Sequence, residues 1–265
     1  KYLNTKHRAI TCSAQEIAKV FPEVVWHSET PMVRTAPAPM HMLSKLVRDN
    51  NIKVVITGEG ADEMLAGYNI FKESEIRHFW AKEPTSKLRP LLLKKLYPYL
   101  PQMQQANPAV LKMFFGFKLE DTDNPFYSHL LRWNNASHIR KYFNEDLRSK
   151  LNGYNTIEQA NTILPNDFDK WDTLAKAQYL ESTIFMSGYL LSTQGDRMGM
   201  ANSIEGRYPF LDHRVIEFCS SLPSKYKLNG LTEKYLLKRM IKGRIPESII
   251  KRSKQAYRAP IASAF

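Results

Sequence analysis

Three carboxylates fall within five residues in Thr57-Gly58-Glu59-Gly60-Ala61-Asp62-Glu63, directly after the apolar run Ile52-Lys53-Val54-Val55-Ile56. Acids packed this densely suit a divalent cation, a proton in transfer, or both. Gly58 and Gly60 let the backbone turn tightly and come close to a ligand. Asp62 and Glu63 fit the first turn of a following helix, where the helix dipole favours anions, and that role alone explains them. It does not explain Glu59, set between two glycines, so Glu59 is the first candidate for chemistry. If the ligand is a nucleotide, Mg²⁺ would take one or two of these acids and complete its shell with water and phosphate oxygens. The turn is not a Walker A loop, because the Gly-Lys-Ser/Thr ending is missing.

A second feature is cationic. Between Thr232 and Arg258, nine Lys/Arg face only Glu233 and Glu247, a local excess of seven positive charges in a chain whose formal charge is +12. Such a block suits an anionic partner such as nucleotide phosphates, although a solvated basic helix explains many of these residues equally well. Nucleic acid is not expected, since neither interleaved aromatics nor a nucleic-acid motif accompanies the block. The two cysteines, Cys12 and Cys219, make no disulfide framework or metal spacing, and the seven histidines show no H-E-x-x-H pairing. Cys219 lies in an amphipathic run with Val215, Ile216, Phe218 and Leu222 and reads as core. A reduced, cytoplasmic setting follows from this, and no apolar stretch approaches the length of a membrane span or forms a leader.

The elements that must position these groups follow an α/β rhythm. At 265 residues the chain is one large domain or two small ones. His7 to Cys12 is β-like, and Ser13 then caps a helix carrying Ile17, Ala18 and Phe21. Pro31 to Pro39 reads as an extended loop, and a helix over Met40 to Asp49 carries Leu43, Leu46 and Val47. The β-branched run Ile52 to Thr57 predicts a strand buried on both faces of a parallel sheet, with ligands at its C-terminal end. Beyond Asn69 helical patterns dominate, so residues 1–69 form an α/β part and 70–265 a mainly helical part. A helix is expected from about Asp169 to Ser192, its face marked by Leu174, Ala177, Leu180 and Ile184. Thr232 should cap a helix bearing Tyr235, Leu236, Met240 and Ile241, which Gly243 and Pro246 close.

Gly58 to Glu63, with Gly67-Tyr68 following, resembles the GEG-[SA]-DE…GGY signature of asparagine synthetases. Asp196 to Ala201 is similar to that family's DRMSMA block, and Ile204 to Asp212 to its VE-[AG]-R-x-PFLD block. Lys234 to Lys238 resembles its K-x-LLR helix, and Arg252 to Pro260 its catalytic-lysine segment. The resemblance implies an ATP-pyrophosphatase-like (adenine nucleotide α-hydrolase-like) parallel α/β domain with a large helical portion. It implies that ATP adenylates the side-chain carboxylate of aspartate and that ammonia, released by a glutaminase domain, displaces AMP. On the matching positions it makes Glu59 the acid/base, Lys254 the catalytic cation and Asp62 a Mg²⁺ ligand. Thr57, Gly58 and Gly60 would contact ATP. Arg197 is a candidate phosphate contact, against a structural salt bridge; Glu205, Arg207 and Asp212 read as ties between helix ends.

The family's Ser-Gly-Gly-x-Asp-Ser loop and its leading glutaminase cysteine do not occur here, and Cys12 does not qualify. The chain, opening on Lys1, therefore reads as part of a longer protein, inactive alone, with a homodimer allowed. Two alternatives stand: amidation of another carboxylate, and a non-catalytic anion- or nucleic-acid-binding module.

Overall fold

The computed structural model describes residues 2, 4–32, 34–261 and 263–264. The chain folds into two compact units, one made of Lys1–Tyr68 with Glu181–Phe265 and the other of Asn69–Leu180. The first break thus falls next to the expected one at residue 69. Residues from Glu181 onward fold with the N-terminal stretch instead of the helical one. The cause is visible in packing: Met198 is fully buried against Ile17, Val24 and Ala38, and residues 205–207 supply a strand.

In the first unit, helix α1 (Ala14–Ser28) starts as expected at Ser13. The Ser13 hydroxyl accepts from the Glu16 N–H at 3.2 Å and the Glu16 carboxylate accepts from the Ser13 N–H at 2.7 Å, a reciprocal capping box. His7 to Cys12, by contrast, forms no strand. Helix α2 (Pro37–Asp49) takes in Pro37 and Pro39, so the proline loop ends earlier than expected. Proline suits the first helical turn, where its missing N–H has no intrahelical partner to lose. The buried face of α2 is Pro37, Ala38, His41 and Ser44, while Leu43 is exposed.

Strand β1 (Val54–Ile56) pairs in parallel with β2 (Glu205–Arg207), Val55 opposite Gly206. Burial on both faces is not found: Val54 is 37% and Ile56 76% exposed. Among the described residues the sheet has only these two strands. The fold is therefore a mostly helical α/β arrangement with a small parallel sheet.

The helix expected over residues 169–192 begins at Thr173, runs as α-helix to Leu180, and continues from Glu181 to Asp196 with π-helical i→i+5 geometry. The change of period breaks the expected stripe, and Ile184 is exposed. π-Helical turns are rare and concentrate at functional sites. Helix 213–221 is capped by Asp212, whose carboxylate accepts from the Arg214 N–H at 3.0 Å, and it buries Cys219 as expected. Glu205 and Arg207 pair with each other at 2.7 Å.

The second unit packs the helices Asn69–Ala81, Tyr127–Ser137 and Thr173–Leu180 together. Phe126, Leu130, Phe168 and Leu180 form one core cluster. Arg77 is fully buried and donates to the carbonyls of Phe115, Phe117 and Tyr127. Arg132 meets buried Glu73 through two bonds of 2.8 and 2.7 Å. Among the described residues, no helix is long and apolar enough to cross a membrane.

Candidate active site

Strand β1 delivers the chain to Gly58, and Gly60 then turns it into helix α3 (Ala61–Met64) with φ of +87°. A side chain at Gly60 would also strike Leu211, its Cβ only 2.3 Å from Leu211 Cδ2. Glycine is required here on both counts. Asp62 and Glu63 occupy the first turn of α3, as the spacing predicts.

Asp62 receives two ammonium groups. Lys254 Nζ lies 2.8 Å from its Oδ2 and Lys234 Nζ lies 3.0 Å from its Oδ1. Asp62 and the lysine 192 positions later thus meet at one point. A cavity of about 340 Å³ opens beside them, walled by Gly58, Glu59, Gly60, Asp62 and Lys254 and by Phe185, Met186, Leu190 and Gln194 of the π-helical stretch. Met186, Leu190 and Gln194, four residues apart, share one face of this helix.

Glu59 accepts a hydrogen bond from the Thr57 hydroxyl. Thr57 therefore orients Glu59 and, with its N–H on the Arg207 carbonyl, does not itself face the cavity. Gly58 and Gly60 do line it. Arg197 does not: its guanidinium sits on Glu29 at 2.5 Å, the structural salt bridge that stood against a phosphate contact. The two residues lie 168 positions apart, and no local signal marks the pairing.

Three further residues belong to the site. Tyr68 donates to Glu63 Oε1 at 2.9 Å, and Lys254 Nζ stands 5.2 Å from the centre of its ring. Burial raises the Glu63 carboxyl above the ordinary glutamate range, outweighing the Tyr68 hydrogen bond that opposes it. The Tyr68 phenol is raised too, first by burial and then by Glu63. Lys234 has a left-handed backbone, φ +50°, and its N–H donates to the Leu65 carbonyl at 3.1 Å. The expected Thr232 cap is displaced accordingly, and the helix starts at Tyr235 with no side-chain cap. Strained non-glycine backbone of this kind clusters at functional sites. The sequence signals for Lys234 are its place in the basic block and at the head of the segment that resembles the family's K-x-LLR helix.

Gly67 shows how tightly the cluster is built. A Cβ there would lie 1.9 Å from Asp62 Oδ1 and 2.5 Å from Lys234 Cε.

The donors do not fit the Mg²⁺ ion expected at Asp62. Both of its oxygens already face ammonium groups. No chemical step is therefore assigned to a metal held by Asp62.

The family model described as asparagine synthase matches residues 1–265. Asparagine synthetase [glutamine-hydrolyzing] 1 of Bacillus subtilis is 27% identical over 249 residues, covering 94% of this chain and 37% of that protein. Amidase chyE of Penicillium rubens is 30% identical over 277 residues, covering 98% of this chain and 40% of that protein. An asparagine synthetase [glutamine-hydrolyzing] of Zea mays is 34% identical over 94 residues, 35% of this chain and 16% of that protein. The chain spans about 40% or less of the length of each of these curated relatives. With the family model matched from end to end, the chain belongs to the asparagine synthase family.

Proposed function

We propose that this chain carries the ligase site of an enzyme that converts a carboxylate to an amide at the expense of ATP, with aspartate as the carboxylate and asparagine as the product. The observation that carries this reading is the meeting of Lys254 with Asp62 at 2.8 Å on the wall of a cavity that Glu59 also lines. In the first step a carboxylate oxygen attacks the α-phosphorus of ATP and pyrophosphate leaves. In the second, ammonia attacks the acyl carbon, AMP leaves, and the nitrogen gives up a proton.

Glu59 suits the second step. It is a carboxylate oriented by the Thr57 hydroxyl, and a positioned base of this kind contributes ~10²–10⁴-fold. Lys254 suits both steps, because an ammonium facing the developing oxyanion or the phosphates stabilises charge as it forms. Asp62 holds that ammonium, and Lys234, in place until an anionic substrate arrives. The backbone at Gly58, with open space where a side chain would stand, leaves room for the nucleotide. The parallel β1–β2 pair accords with an ATP-pyrophosphatase-like sheet. Ammonia is expected from a glutaminase domain of the same protein, in line with relatives named glutamine-hydrolyzing.

A second reading keeps the chemistry and changes the carboxylate. Its support is that two fungal proteins named amidases, 30% and 25% identical, each match 98% of this chain. AMP release by the full protein, with ammonia and ATP and a panel of carboxylic acids, separates the two. Aspartate-dependent release supports asparagine synthesis. Release with another acid, and none with aspartate, favours the second reading, and release with no acid rejects both.

A further inference from the structure

We infer that Glu233 positions Lys254, holding the backbone of that lysine while Asp62 holds its ammonium; the inference rests on the reading of Lys254 as the cation of the ligase site. Lys254 lies in an irregular stretch, residues 252–260, in which most side chains are exposed. No helix or strand fixes its Cα, and a lysine side chain has enough rotatable bonds to place its head in many ways. Its fixed points must come from elsewhere.

Glu233 supplies one of them. Its side chain is almost fully buried, the residue 4% exposed. Its Oε1 accepts from the Lys254 N–H at 3.3 Å and faces Lys238 Nζ at 3.0 Å. The neighbouring residue supplies the other. Lys234, in its left-handed conformation, sends its ammonium to Asp62, the same carboxylate that Lys254 reaches. Two successive residues are thus coupled to the two ends of Lys254. Further along, the buried Thr35 hydroxyl donates to the Pro260 carbonyl at 2.7 Å and ties the far end of the stretch.

Glu233 does not line the cavity that holds Glu59 and Gly58, so it has no route to the reacting atoms. It borders a separate hollow behind Lys254, with Leu237, Ile241 and Ile249. Its effect must pass through Lys254. A displacement of about 1 Å in a catalytic group costs on the order of 100-fold, which sets the expected size.

The test compares Glu233→Ala with Glu233→Gln in the full protein, the latter retaining an oxygen to accept from the Lys254 N–H. The alanine variant should lower kcat for amide formation about 100-fold, with KM for ATP and the carboxylic acid changed less than about 3-fold. The glutamine variant should recover to within about 10-fold of wild type. Hydrogen exchange at the Lys254 amide should quicken in the alanine variant and stay near wild type in the glutamine variant. Glu233→Met, which fills similar volume without an acceptor, replaces the alanine variant if that one does not fold. Equal exchange at Lys254 in all variants, or equal kcat in the alanine (or methionine) and glutamine variants, overturns the inference. The exchange measurement does not depend on turnover. A wild type that amidates no acid therefore refutes the ligase reading and leaves the hold on Lys254 to be decided by exchange.

Discussion

Charge is handled in opposite ways in the two units. In the helical unit it is matched: Arg132 spans both oxygens of buried Glu73 and also donates to the Tyr97 hydroxyl, while Arg77 is spent on three carbonyls. In the other unit one carboxylate, Asp62, faces two ammonium groups on the wall of an open cavity. A carboxylate answered on both oxygens by one guanidinium leaves no unmatched charge for a ligand. Two ammonium groups held by one cavity-lining carboxylate can turn to an anion that enters, and the pairing with Asp62 keeps them oriented in the meantime.

The largest effects should come from breaking each arrangement in turn. Arg132→Met leaves Glu73 buried without its partner and should cost about 3–5 kcal/mol of stability, read as a lower denaturant midpoint. Lys254→Ala should remove about 3–4 kcal/mol of transition-state stabilisation, a near-complete loss of synthesis. Its denaturant midpoint should fall much less than that of Arg132→Met. If the two variants gave the same pattern, the contrast between the units would be lost.

Gly67→Ala sharpens the comparison without removing a charge. Its new methyl would sit where Asp62 Oδ1 and Lys234 Cε now are. Activity should fall by about 100-fold through displacement of the cluster, and an unaltered kcat would show that the cluster's geometry is immaterial.

The smallest effect should come from Glu63. Its carboxyl is raised by burial, so the folded state holds the proton more strongly than the unfolded state. The stability this gives is complete below the ordinary glutamate range and is lost as pH rises through the raised folded value. Glu63→Gln stays neutral throughout. Its melting temperature should exceed that of wild type at pH 7 and match it near pH 4.

The local parts of the site were legible because their causes are local. Gly60 turns, Asp62 and Glu63 begin a helix, and Ser13 caps one, each within a few residues. The convergence of Lys254 on Asp62 was reached through the order of the family blocks, since nothing in either segment alone points to the other. What escaped depended on partners far along the chain. β1 pairs with a strand from far along the chain, and its Val54 and Ile56 stay exposed. Arg197 found Glu29, and Lys234 took a left-handed backbone that its residue type disfavours. The π-helical stretch was missed because apolar spacing over a few turns does not separate periods that differ so little.

The most direct test of the site follows both products in the full protein, wild type beside Glu59→Gln, with ammonia as the nitrogen source. Pyrophosphate release should persist in the variant while amide formation drops by ~10²–10⁴-fold, because the acyl-adenylate forms and then waits for a base. Equal loss of pyrophosphate and amide, or no loss of either, would contradict the role of Glu59 and with it the two-step chemistry assigned to this cavity.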